Sequence, residues 1–229
     1  LTIDTLLFDA DGVVQRARTS WRDGFAPLLA GSGERALDQF TAAIEEAESE
    51  CLESLDFAER LTDVLKKWRL EGSLEEVLKV LNGIVVYPDV IELVRALRQS
   101  GVSCHLASNQ QSLRAEHMSA VLNYREIFEQ EFYSCHLGIA KPKPEFFEEI
   151  TIRLGQPAAS ILFVDDRMEN VLAARKVGLR AEVYDAATGA PILYEILHSH
   201  DLFGSAEIPQ PPSLRSTSAE AHSPSDQPR

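Results

Sequence analysis

Three cysteines in 229 residues are too few, and wrongly spaced, to staple a fold or hold a metal. Cys51, Cys104 and Cys135 are odd in number and form neither a CxxC nor a Cys/His ligand pattern. Cys104 and Cys135 sit in apolar, strand-like surroundings, where a thiol behaves as a small hydrophobe. All three read as free thiols of a reducing compartment. Positive charge is also scarce. The 22 basic residues face 36 acidic ones, a formal net charge of -14. This argues against a nucleic-acid binder that neutralises phosphates, and against attraction to anionic membranes. No apolar run is long enough to span a bilayer, and no signal peptide opens the chain. The expected location is the cytoplasm. The first residue is Leu1 rather than Met, so it need not be the native start.

What is present is ordinary globular material, 45% hydrophobic and 25% charged. Such a chain buries a core without staples, as one larger domain or as a core with a smaller insertion. With this net charge, an anionic substrate requires a local concentration of positive charge, such as a metal, set against the global field.

The pattern along the chain changes twice. Residues 2–8 form a short apolar run ending at Asp9 and predict a buried strand. From 34 to 81 the periodicity is helical only. Leu37, Phe40, Ile44, Ala47 and Cys51 recur at steps of three and four, then Phe57, Leu61, Val64, Leu65 and Trp68, then Leu74, Val77, Leu78 and Leu81. Ser73 and Glu76 suggest a capping box before the last group. Between Glu34 and Lys79 there are 13 acids against 6 bases, so half of the excess negative charge lies here. After Pro88, helices alternate with strands. Helices are expected over 89–99, 112–123, 144–154, 167–177 and 191–197, and strands over 102–107, 132–135, 161–164 and 181–184. This predicts an α/β fold: a Rossmann-like parallel sheet core with an inserted all-helical cap. The expected boundaries are 1–14 and 84–204 for the core, 15–83 for the cap, and 205–229 for a disordered tail. That tail holds 5 prolines and 6 serines in 25 positions.

Three predicted strands end in polar groups: Asp9-Ala-Asp11-Gly12, Ser108-Asn109-Gln110 and Asp165-Asp166-Arg167. Parallel sheets collect ligands at the carboxyl ends of their strands, so these segments are expected on one rim. Two adjacent acids after a buried strand are costly unless paired, and a cation there removes the cost. Taken singly, each motif has a plain structural reading. Asp-x-Asp-Gly can be an Asx-turn, Ser108 a helix cap, and Lys141 a solvated loop lysine. Arg16, Arg18, Trp21 and Arg22 follow the first motif. They suit a substrate's phosphate, carboxylate or sugar face, or else form a solvated hinge.

Together the motifs resemble those of the haloacid dehalogenase-like (HAD) superfamily over roughly residues 1–200. Leu-Leu-Phe-Asp9-Ala-Asp11-Gly12-Val13 is similar to its first motif and Leu106-Ala107-Ser108-Asn109 to its second. Lys141-Pro142-Lys143-Pro144 with Phe146 is similar to its third. Phe163-Val164-Asp165-Asp166 with Asn170 and Ala173-Ala174-Arg175 is similar to its fourth. The helical insertion resembles the family's C1-type cap. The resemblance implies that Asp9 is a nucleophile forming an aspartyl-phosphate and that Asp11 is the general acid and base. It implies that Ser108 and Asn109 bind the phosphoryl group and that Lys141 offsets its charge. It also implies a Mg2+ ion held by Asp9, the Asp11 carbonyl and Asp166, with Asp165 holding a metal-bound water. Dehalogenases and phosphonatases of the family depart at the position of Asp11, so that residue favours phosphate-ester chemistry. The expected activity is hydrolysis of a small phosphorylated metabolite, with sugar phosphates leading. A sugar phosphomutase keeps the same aspartate and stays open as an alternative. A non-catalytic binding protein is disfavoured by the intact motifs.

Overall fold

The computed structural model describes residues 2–202. The expected tail lies outside them. β1 (Thr5–Phe8) is buried throughout. Its side chains alternate, with Leu6 and Phe8 packed on one face of the sheet and Leu7 on the other. The chain then leaves through β2 (Gln15–Ala17). It forms α1 (Trp21–Phe25), α2 (Glu34–Glu50), α3 (Phe57–Trp68) and α4 (Leu74–Leu81), and re-enters through β3 (Ile84–Val86). β2 and β3 pair antiparallel, so exit and return share one two-stranded ribbon. There follow α5 (Pro88–Gln99), β4 (Ser103–Ser108), α6 (Ser112–Glu116), α7 (Tyr124–Ile127), β5 (Glu131–Tyr133) and α8 (Ser134–Leu137). α9 (Pro144–Leu154), β6 (Ile161–Asp165), α10 (Met168–Val177), β7 (Arg180–Val183) and α11 (Ala190–Ser199) complete the order.

The parallel α/β core expected from the sequence is present. Five parallel strands run in the order β5-β4-β1-β6-β7. β1 lies between β4 and β6, with Phe8 opposite both Leu106 and Val164. The residues that follow these three strands are therefore neighbours on one rim, despite lying some hundred and fifty positions apart at the extremes. One face of the sheet packs on α5 and α11, through residues such as Leu93, Val94, Leu97, Leu193 and Leu197. The other packs on α9 and α10, where the Phe147 and Phe163 rings meet at 5.0 Å. The inserted helices bury a cluster of their own. Phe40 lies edge-on to Phe25 at 5.2 Å and to Trp68 at 5.5 Å. Among the described residues no helix is long and apolar enough to cross a membrane. All three cysteines are free and buried.

Local expectations fail in instructive places. Ser73 makes no capping bond, because it closes a 3-10 turn over Glu71–Ser73 and enters α4 at φ -106°, ψ 18° rather than from an extended backbone. The helix expected over 112–123 begins with Gln111 as its cap, whose Oε1 accepts from the Leu113 and Arg114 N–H groups. It widens into a π turn over His117–Val121 and ends at Asn123 in the left-handed region. Cys135, expected in a strand, lies in the short helix α8. β2 and β3 carry no sequence signal, because three residues each are too short to display a period.

Candidate active site

β1 ends at Phe8 and hands Asp9 to the rim. The loop beyond turns tightly, with the N–H groups of Val13, Val14 and Gln15 all donating to the Ala10 carbonyl. Gly12 sits at φ +86°, and a Cβ there would come within 2.3 Å of Asp166 Oδ2. Glycine therefore serves both the turn and the close approach of the Asp166 carboxylate.

Lys141 is a buried cation of the site. Its Nζ lies 2.7 Å from Asp9 Oδ1 and 2.7 Å from Asp165 Oδ2, and it donates to the Ala107 carbonyl at 2.9 Å. The Asp9 carboxylate and this ammonium form a buried ion pair. Burial pushes the Asp9 carboxyl up to about 7, against the pull of Lys141 and with reinforcement from Asp165. Burial opposes the charge on Lys141, yet Asp9 and Asp165 hold it above its ordinary value. Asp166 is raised by burial and then by Asp165. Carboxylate oxygens of Asp9, Asp165 and Asp166 all lie within 4.8 Å of one another. An all-oxygen set of three carboxylates facing one ammonium is short of positive charge and fits a hard divalent cation such as Mg2+.

Asp9, Asp11, Ser108, Asn109, Lys141, Asp165 and Asp166 all reach this rim, though several are engaged differently from expectation, whereas Arg18 lines a separate cavity with Glu75, Lys79 and His117. Ser108 is buried at the end of β4 and accepts from Gln110 Nε2 at 3.2 Å. The Asn109 side chain is committed to the main chain of Lys141, donating to its carbonyl at 2.9 Å and accepting from its N–H at 2.8 Å. It fixes the loop that delivers the lysine. Asp165 has both oxygens occupied, by Asn170 Nδ2, the Arg167 N–H and Lys141 Nζ. It orients the lysine and caps the turn into α10. Arg16 and Trp21 line the cavity above the rim, whereas Arg22 turns away and pairs with Glu34 and Asp38 on the surface of the inserted helices.

Other residues lie at the site without having been marked by any motif. Asp11 Oδ1 accepts from Arg114 Nη2 at 2.6 Å and Gln15 Nε2 at 3.1 Å, and its Oδ2 accepts from Gln110 Nε2 at 2.7 Å. Glu48 and Leu52 reach the same cavity from the inserted helices. Burial pushes the Glu48 carboxyl up to about 7, with Arg114 pulling it down and Asp11 and Glu45 pushing it up. The cavity measures about 480 Å3. It lies between the helical layer and the rim and joins Asp9, Asp11, Ser108 and Lys141 below to Trp21, Glu48 and Leu52 above.

A family model described as haloacid dehalogenase-like hydrolase matches residues 3–178. The enolase-phosphatase E1 of Erwinia tasmaniensis is 28% identical over 162 residues, covering 63% of this chain and 66% of that protein. A sesquiterpene phosphatase of Aspergillus oryzae is 32% identical over 87 residues, covering 38% of this chain and 44% of its own. The chain thus spans less than two thirds of the length of either relative. Among solved structures, a HAD family enzyme of Bacteroides thetaiotaomicron in complex with magnesium and inorganic phosphate superposes with a TM-score of 0.67 at 20% identity. The match covers 84% of this chain and 99% of that one. The L-2-haloacid dehalogenase of Xanthobacter autotrophicus superposes with a TM-score of 0.59 at 20% identity, covering 89% and 85%. At these identities the structural likeness establishes the fold.

Proposed function

The chain belongs to the haloacid dehalogenase-like hydrolases, and from that premise we propose that it is a Mg2+-dependent phosphatase of a small phosphorylated metabolite. The observation that carries the reading is the pair of carboxylates on the β1 loop. Asp9 lies buried against Lys141, and Asp11 faces the same cavity two residues on. Displacing a halide requires no proton donor, whereas an alkoxide leaving group does. An acid beside the nucleophile therefore favours phosphate esters over haloacids. The phosphatases among the relatives and the bound magnesium and phosphate of the Bacteroides enzyme support the same reading.

In this mechanism an Asp9 carboxylate oxygen attacks phosphorus. The bond to the leaving oxygen breaks and Asp11 gives that oxygen a proton. Water then attacks the aspartyl-phosphate, Asp11 takes its proton, and the bond from phosphorus to Asp9 breaks to release inorganic phosphate. Lys141 offsets charge on Asp9 and on the phosphoryl oxygens, and the Ser108 hydroxyl binds one of those oxygens. Asp9, Asp166 and the Asp11 carbonyl would hold the Mg2+, which supplies further positive charge to the phosphoryl group when bound. The inserted helices act as a cap that closes over the leaving group and excludes water. Trp21 offers an aromatic face, Leu52 an apolar one, and Glu48 a partner for a hydroxyl, a lining suited to a sugar or polyol phosphate.

Phosphate release across a panel of phosphorylated metabolites, with Mg2+ and with excess chelator, tests the reading. Turnover should need the metal and should vanish in Asp9→Asn. Undiminished hydrolysis in chelator would refute the metal requirement. Halide release from haloacids without phosphate release would replace the phosphatase by a dehalogenase.

A further inference from the structure

Arg114 lies on α6, outside every motif, with 6% of its side chain exposed. All three faces of its guanidinium fork are used. Nη2 donates to Asp11 Oδ1 at 2.6 Å, Nε to Gln110 Oε1 at 2.9 Å, and Nη1 to the Leu81 carbonyl at 2.8 Å, at the end of the last cap helix. The bond to Gln110 has a second consequence. With its Oε1 turned to Arg114, the Gln110 amide must present its NH2 to the other side. There it donates to Asp11 Oδ2 at 2.7 Å and to Ser108 Oγ at 3.2 Å. One arginine therefore holds both oxygens of Asp11, the first directly and the second through Gln110. Gln15 completes the set, and its own amide is oriented by the Tyr124 hydroxyl, which donates to Gln15 Oε1 at 2.8 Å.

We propose that Arg114 is a positioning residue of the phosphatase reaction, holding the Asp11 carboxyl so that Oδ2 is the oxygen that exchanges a proton during turnover. The proposal rests on the phosphatase reading above. Oδ1 accepts two hydrogen bonds and has both lone pairs engaged, whereas Oδ2 accepts one and keeps one site open for a proton. The Asp11 side chain is 44% exposed, so without these donors it is free to turn into solvent. The proton moves from Oδ2 to the leaving oxygen as the bond from that oxygen to phosphorus breaks. It is replaced at Oδ2 by a proton from the attacking water in the second step. Misplacing such a donor by about 1 Å costs on the order of 100-fold in rate. The link to Leu81 allows a plainer role, a strut between cap and core, and the test separates the two.

The test compares phenyl phosphate with 2,4-dinitrophenyl phosphate, each with Mg2+, in the parent, R114Q, R114K, D11N and R114Q/D11N. The two esters are similar in shape, but dinitrophenolate is a far weaker base and leaves without a proton donor. The value of kcat/KM reports the first step. R114Q should lose about 100-fold on phenyl phosphate and at least tenfold less on the dinitrophenyl ester. D11N should show the same split, and R114Q/D11N should lose no more than D11N alone, because the two residues act as a unit. R114K keeps the charge without the fork and should show a smaller split in the same direction. Equal losses on both esters, or losses that add in the double variant, would make Arg114 a strut and overturn the proposal. If R114Q fails to fold, judged by its melting curve, the absence of a split in folded R114K overturns it equally. A folded parent inactive on both esters would instead remove the phosphatase reading, and this proposal with it.

Discussion

Replacing Glu48 by glutamine should change stability in a strongly pH-dependent way. Glu48 stands half-buried on α2 above the rim, with its carboxyl pushed from an ordinary 4.5 to about 7. Burial is the main cause, and the Asp11 and Glu45 charges add to it against the pull of Arg114. Below pH 4.5 the carboxyl is protonated in the folded and unfolded chains alike, so glutamine and the neutral acid should be nearly equivalent. Between pH 4.5 and 7 the unfolded chain has lost the proton while the folded chain keeps it. Folding then takes up a proton, and the parent loses stability as pH rises at about 1.4 kcal/mol per unit. Above pH 7 both forms are ionised and the loss is complete, at about 3 kcal/mol. Glutamine escapes it. Urea unfolding of chelator-treated parent and variant from pH 4.5 to 8.5 should give a stability difference near zero at the acid end. The variant should be the more stable by about 2–3 kcal/mol at the alkaline end. Other raised carboxyls, Asp9 among them, titrate in this window in both proteins and cancel in the difference. A difference independent of pH would mean that the Glu48 carboxyl stays solvated and that the inserted helices do not seat it over the rim. A difference that favours the parent as pH rises would mean that the pull of Arg114 outweighs burial.

Three further substitutions probe the site from its buried and its exposed sides. Lys141→Met should leave Asp9 and Asp165 buried without their cation, lowering stability by about 3–5 kcal/mol in urea unfolding and lowering kcat at least ~100-fold in a phosphate-release assay. Trp21→Ala should raise KM for the preferred metabolite with kcat nearly kept. Arg22→Ala should leave both parameters alone and cost under ~1 kcal/mol, because Arg22 pairs with Glu34 and Asp38 on an exposed surface.

Much of the site was legible because its parts sit at element boundaries. Asp9 follows four buried residues, and Gly12 marks a backbone position that other residues would strain. Asp165 and Asp166 end and follow β6, and Pro144 and Gly155 bracket α9 as expected of a first turn and a left-handed cap. These signals are local: strand period, turn chemistry and capping are decided within a few residues. The misread elements were local too, but weak. The helix after β4 carries a π turn, and β2 and β3 owe their existence to each other across nearly seventy residues.

The sequence by itself determined the alternation of strands and helices, the position of the inserted helical stretch, and which carboxylates follow the strand ends. It could not distinguish Glu48 from Glu45, Glu46 and Glu50, which share one helix and one composition. Nor could it mark Arg114, which reads as one more arginine on a short helix. Helical phase tells which residues turn inward toward their own helix cluster. It does not tell which of the remaining ones meet a second layer. That was decided only when α2 and α4 came to lie over the rim, bringing Glu48 into the cavity and the Leu81 carbonyl to Arg114. The same holds for Asp165 and Asn109. Their types and places are written in the chain, but their partners are set by β1 lying between β4 and β6, which brings Lys141 within 2.7 Å of two buried carboxylates at once. A hydrogen bond needs its two groups within about 3 Å, and only the tertiary fold brings together groups so far apart in sequence.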